Sequence, residues 1–501
     1  MIVLLARRAG LDYARRPLNL ILLVVVPVVL VVVWGGTLAE FSELLGGTGD
    51  RVQLEAATAG WAAAALAGLA GFFQVTGSRA ADRRLAAAGH RTAPVVAGRL
   101  GAALGLALLA SAGGLLALAA RNGINDPSRV IAATTLFAVI YLALGTLVGT
   151  FVGRRSGSEM NGALLVSLAW VLDVFFGALL GESSSILTRV LPLHFPSLVL
   201  TDQASGHAGP LGDLGWSLVW AVGLSTLAVG RMVVITRPAP AQATSAPAQT
   251  LTRLTSWLRA GLREYRRNRV LWVLLVIVPA IFIALAVAVT PESPGTVALV
   301  EGARHFDGIL SERRMHAMTM VPITVAFLSG LTGLFVVTGS AKGDRRLVLA
   351  GFRPWEILAG HLGVIAVATT VTTAVAVSVA GAWFPPNQWA VFVMATLLVA
   401  FSYSMAGVLV GPLTGRLGGL YLMLLLAFLD EGLGQSIMLP SGPPAWGAFV
   451  PGRGTSRILI DAAFTDRFDE VGSLLLAFTW LVALTAMAAT VFHGWVGSKR
   501  S

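Results

Sequence analysis

The chain contains no cysteine, which excludes disulfides, thiol nucleophiles and thiolate metal sites. Charge is scarce too. Only 12% of residues are Asp, Glu, Lys or Arg against 56% hydrophobic ones, and the mean hydropathy is +0.78. That balance belongs to a polytopic membrane protein rather than a soluble domain. Lysine is nearly missing: Lys342 and Lys499 are the only two, and neither follows the glycine spacing of a phosphate-binding loop, so ATP is not bound by that route. The seven histidines are scattered, without the paired His/carboxylate spacing of a metal site. No nucleophile elbow is present. These absences predict a chain that is not an enzyme and holds neither metal nor cofactor.

What the chain does have is long apolar runs, each of about 20 residues and able to cross the hydrocarbon. The formal charge is +11, but the basic residues lie between the runs, where they orient the chain by the positive-inside rule. Nucleic acid is not needed to explain them.

The most informative stretch is Val75 to Gly101, because most of it occurs twice. Val75-Thr76-Gly77-Ser78, Asp82-Arg83-Arg84-Leu85, Ala88-Gly89, Arg91, Ala97-Gly98 and Leu100-Gly101 form the first copy. Val337-Thr338-Gly339-Ser340, Asp344-Arg345-Arg346-Leu347, Ala350-Gly351, Arg353, Ala359-Gly360 and Leu362-Gly363 form the second, without a gap. About fifteen of roughly twenty-seven positions agree, which reads as an internal repeat. Each copy is a charged island between two apolar runs.

Counting spans by the twenty-residue rule gives about six per half. They fall near 17–37, 54–78, 94–120, 129–152, 160–181 and 213–235, then near 270–290, 317–340, 356–382, 389–411, 417–438 and 473–496. An even number per half means that both halves enter the membrane from the same side, as parallel repeats. The expected organisation is a first transmembrane repeat over 1–235, a Pro/Ala/Ser-rich linker over 236–250 and a second repeat over 251–501. Before each first span stands a basic amphipathic segment, Ile2 to Arg16 and Thr252 to Arg269. Both read as helices lying in the membrane interface. With both termini inside, about 25 of the 36 basic residues and only about 6 of the 25 acidic ones are cytoplasmic, the bias expected of this orientation.

Within each island the aspartate is expected to cap a short cytoplasmic helix, and Gly89 or Gly351 to end it in the left-handed conformation. Pro354 and Glu356 suit the first turn of the next span. Short apolar helices are expected in the outer segments that carry Pro192, Ser197, Leu200 and Asp202, and Pro451, Ser456, Leu459 and Asp461. The outer loops are too short for a folded ectodomain. Asp173 and Asp430, with Glu431 beside the latter, read as solvated ends of the fifth spans. Phe72, Phe73, Phe175, Phe176 and Phe335 read as lipid-facing packing.

On these residues the chain resembles the bacterial ATP-binding-cassette transporter permeases of the type-2 (exporter) class, with two permease units fused in tandem. The resemblance covers essentially the whole chain and rests on position: an interfacial elbow helix before span one, a coupling segment between spans two and three, and short helices between spans five and six. It implies an all-α polytopic membrane protein of the bacterial plasma membrane. It further implies export of a hydrophobic or amphiphilic substrate, with two separate ATPase subunits as partners that carry the ATP and Mg. The coupling role would fall on Asp82, Arg83, Arg84 and Gly89, and on Asp344, Arg345, Arg346 and Gly351. No substrate-binding residue is legible. Two alternatives remain: a major-facilitator-like secondary transporter, which also has six plus six spans, and a membrane scaffold without transport. The major-facilitator loop would place its glycine four residues before the aspartate, whereas Gly77 precedes Asp82 by five.

Overall fold

The computed structural model describes residues 17–36, 51–152, 158–174, 186–201, 210–236, 268–301, 304–349, 351–438 and 443–497, with isolated positions 7, 10, 11 and 176. Apart from positions 7, 10 and 11, the interfacial segments before Pro17 and before Asn268, and the linker after Thr236, lie outside the described residues. The protein is an all-α polytopic membrane protein. Ten of the described helices are long and apolar enough to cross a membrane. The chain divides into two compact units, residues 1–154 with 161–247, and residues 155–160 with 248–501.

In the first unit, α1 spans Pro17–Val29 and continues as a wider turn, Leu30–Trp34. That widening follows Pro27, which removes one backbone donor from the ladder. Next come α2 (Arg51–Ala87), α3 (Thr92–Asn122), α4 (Pro127–Phe151) and the shorter α5 (Ser158–Leu172). Two short helices follow, α6 (Ile186–Arg189) and α7 (His194–Thr201), then α8 (Pro210–Thr236). Asp126 caps α4 by accepting the Arg129 N–H at 3.2 Å. A hydrogen bond from the Ser128 hydroxyl, then that N–H, lowers its carboxyl below the usual carboxylate pKa.

The second unit opens with α9 (Arg269–Val289), capped by the Asn268 side chain. An antiparallel hairpin follows, β1 (Pro294–Glu301) with β2 (Arg304–Ser311). Then come α10 (Glu312–Leu349), α11 (Pro354–Trp383), α12 (Trp389–Ala427) with a π-type extension Phe428–Gly434, α13 (Gly452–Phe464) and α14 (Val471–Gly497). The hairpin departs from the all-helical expectation. Alternating Val297 and Leu299 are buried with Met315, so a segment too short for a domain still finds a surface on which to fold.

Two expected spans, 389–411 and 417–438, are continuous in the helical assignment. Gly415 breaks them, with φ 73° and ψ −170°. A straight helix would hold Tyr403 and Asp430 about 40 Å apart, yet the tyrosine hydroxyl donates to the Asp430 carboxylate at 2.6 Å. The chain therefore doubles back at Gly415, and the segment forms two antiparallel arms.

The cores of both units are built on glycine. A methyl added at Gly145 would overlap the Gly68 carbonyl, and one at Gly407 would overlap that of Gly330. In a membrane, where lipid is as apolar as leucine, such close backbone approach is what holds helices together. Here it clamps α2 to α4 and α10 to α12. Phe72 is fully buried and Phe335 is 7% exposed. These two rings belong to the helix–helix core and do not face lipid, because the small residues around them leave room inside.

Candidate functional site

The two islands are the places to examine. The structure corrects the expectation of a short separate helix capped by aspartate. α2 has 37 residues and α10 has 38, about 56 Å each, against a hydrocarbon core of about 30 Å. Each island is thus the projecting end of the second long helix of its unit. Nothing between Gly77 and Ala87, or between Gly339 and Leu349, breaks the helical ladder, and a lone glycine only weakens it.

Neither aspartate is free to cap. Asp82 is 3% exposed; it accepts the Ser78 hydroxyl at 2.7 Å and the Arg99 Nε–H at 3.0 Å. Asp344 is fully buried; the Ser340 hydroxyl donates to it at 2.8 Å, and His361 Nε2 lies 3.0 Å from the same oxygen. Ser78 and Ser340 stand one turn before their aspartates, while Arg99 and His361 come from α3 and α11. Each island therefore carries a Ser–Asp–base lock that ties the end of one long helix to the beginning of the next. In Asp82 the two donors serve different oxygens, whereas in Asp344 both groups meet one oxygen and the other is buried without a hydrogen-bond partner. A buried pair of this kind is costly to break by removing one member.

The remaining island residues sit outside the locks. Arg83 is half-buried and donates from Nε to the Ile235 carbonyl at 2.9 Å, near the end of α8. Its counterpart Arg345 is exposed, with its guanidinium carbon 5.8 Å above the Trp495 ring of α14. Each first arginine thus reaches the last long helix of its own unit. Arg84 and Arg346 are exposed. Arg79 donates to the Gly149, Thr150 and Val152 carbonyls at 2.7, 3.1 and 2.5 Å, placing a cation on the negative end of α4.

The turns behave as the sequence requires. Gly89 has φ 88° and Gly351 φ 90°. His90 donates its N–H to Leu85 and Gly89 to Ala86; Phe352 donates to Leu347 and Gly351 to Val348. Both turns have the paired bonds of a Schellman ending, in which the left-handed residue suits glycine. α11 then starts at Pro354, with the Arg353 N–H bonded to Glu356 at 2.9 Å.

The sequence reading missed the bases. Arg99 is a charge inside an apolar run, which is a signal in itself. His361 stands at the matching place in the second island, where the type change from arginine hides the correspondence.

A second constellation lies at the other end of the helices and also corrects an expectation. Asp173, Asp430 and Glu431 are each 1% exposed; they are not solvated helix ends. Tyr141 donates to Asp173 at 2.8 Å, as Tyr403 does to Asp430. The Leu193 N–H donates to Asp173 at 3.0 Å and the Gly452 N–H to Asp430 at 2.8 Å. Each carboxylate thus anchors the N-terminal end of a short helix, α7 or α13, where backbone donors are unsatisfied. That anchoring removes these side chains from water. Among the described residues no group of three or more His, Asp or Glu is placed to hold a metal.

Neither the protein-family models nor the curated proteins contain a match to this chain.

Proposed function

We propose that the chain is the transmembrane subunit of an ATP-driven transporter, two type-2 permease units in one polypeptide, working with two separate ATPase subunits that supply ATP and Mg. The observation that carries this reading is the duplicated lock. In both units an arginine-bearing helix end is fixed to the following helix by a buried Ser–Asp–base group and stopped by a left-handed glycine. A loop that served only to orient the chain would need the positive charges but neither the buried aspartate nor the glycine. A surface that receives force from a partner needs all three: exposed cations to bind it and a stiff mount to pass its movement on.

In this reading each half has six spans and an interfacial helix before the first, with both termini on the cytoplasmic side of a bacterial plasma membrane. Closure of the ATPase subunits around ATP pushes on Arg84 and on Arg345 and Arg346. Because Asp82 is tied to Arg99 and Asp344 to His361, the push moves pairs of spans together and shifts the equilibrium between inward-open and outward-open states. The direction is export of a hydrophobic or amphiphilic substrate, in keeping with outer segments too short for a docking domain.

The test replaces Arg84, Arg345 and Arg346 by alanine and follows membrane insertion, recovery of bound ATPase and ATP-driven transport. Insertion is expected to persist, since Arg79, Arg91 and Arg353 keep the inside bias, while ATPase recovery or coupling falls at least tenfold. The pair Gly89→Val and Gly351→Val reaches the same end without a change of charge, because a β-branched residue resists positive φ. Normal ATP-driven transport in both sets would leave the islands as topological anchors only and remove the main support for the reading.

A further inference from the structure

The second unit contains a small cavity whose wall includes a carboxylate that the Asp430 anchor does not use. Glu431 lies on the π-type extension of α12, a geometry often found at functional sites. Its Oε2 accepts the Ser456 hydroxyl at 2.6 Å, whereas its Oε1 is buried without a hydrogen-bond partner. Asp430, by contrast, is served by Tyr403 and by the Gly452 N–H. Among the described residues neither carboxylate forms an ion pair. The Arg453 guanidinium, on the neighbouring α13, donates to Gln435 at 3.5 Å. Two adjacent buried carboxyl groups without a cation are costly, and a donor that also carries positive charge relieves both deficits.

The cavity has about 30 Å³ of free space, and Glu431, Gln435 and Ser456 share its wall with Met318, Phe392 and Leu459. That volume holds one or two water-sized groups. Ile460 and Phe464 also line it, and both pack against the buried cluster of Val297, Leu299 and Met315. Calcium or magnesium takes six or more oxygens, more than this wall offers. The remaining surface, aromatic, thioether and aliphatic, suits a cation that bears carbon, since aromatic rings attract cations and apolar groups pack against carbon.

We infer that this cavity binds a primary ammonium group, with Glu431 as its counter-ion. The site goes beyond the permease reading and stands or falls without any ATPase partner. The experiment uses the purified full chain in detergent and follows thermal unfolding as methylammonium chloride is added, with sodium chloride at matched ionic strength as control. The expected result is a rise in midpoint that grows with the logarithm of methylammonium concentration and is absent with sodium. Glu431→Gln keeps the shape and loses the charge; it is expected to fold with an unchanged or higher midpoint and to lose the ligand-dependent rise. Leu459→Phe keeps the carboxylate but fills the cavity, and is expected to lose the rise as well. No rise in the unmodified chain, an equal rise with sodium, or an equal rise in either variant would overturn the assignment.

Discussion

His361 Nε2 stands 3.0 Å from Asp344 in the second unit, in the place where the Arg99 Nε–H meets Asp82 in the first. One lock thus uses a permanently charged guanidinium and the other an imidazole. Both have a serine one turn before the aspartate and an approach from the next long helix, but Arg99 takes the oxygen that Ser78 leaves, whereas His361 and Ser340 meet on one oxygen of Asp344.

The first prediction follows from that relationship. Removing one member of a buried pair costs about 3–5 kcal/mol, so Asp82→Ala and His361→Ala should each lower the unfolding midpoint of the detergent-solubilised chain markedly. His361→Arg copies the first lock into the second and should retain most of the stability. Unfolding of His361→Ala at the unmodified temperature would show that the contact does not bear on the fold.

Glycine packing gives the second. A side chain at Gly145 meets the Gly68 carbonyl, and one at Gly407 meets that of Gly330. Overpacking of this kind costs about 1–3 kcal/mol, so Gly145→Leu and Gly407→Leu should reduce stability and the yield of folded protein. Gly77 and Gly339 have open space around them. There alanine should be neutral or stabilising by up to about 1 kcal/mol, as expected for a helix interior. Equal losses at all four positions would contradict the close-approach account.

Most span positions were legible in the sequence because membrane helices announce themselves by length and apolarity. The start of α11 at Pro354 and the left-handed turns at Gly89 and Gly351 were legible for the same kind of local reason: one residue type fits one backbone geometry. What could not be read was pairing across helices. The burial of Asp82 depends on Arg99 and that of Asp344 on His361, and a sequence carries no record of which face of one helix meets which face of another. Asp173, Asp430 and Glu431 looked like solvated ends because they close apolar runs. They are buried because α7 and α13 bring backbone donors to Asp173 and Asp430, and Ser456 of α13 a hydroxyl to Glu431. The hairpin Pro294–Ser311 was missed because its stability comes from the surface beneath Val297 and Leu299 rather than from its own length.

Orientation provides the third prediction. The chain has no cysteine, so single cysteines report without background. Ile309 is 75% exposed on β2 and Leu349 is 88% exposed at the end of α10. In intact cells an impermeant maleimide should label Ile309→Cys, and should label Leu349→Cys only after permeabilisation. Reversed labelling would place the islands outside, away from any ATPase.

The central claim, that two permease units with two partner surfaces are present in one chain, is tested most directly by counting partners. The measurement is the mass of the intact complex purified from native membranes under mild conditions. The account predicts one copy of this chain with two ATPase subunits, and ATP-dependent transport by that assembly. A transport-active complex with two copies of this chain, or an active chain with no ATPase bound, would contradict it.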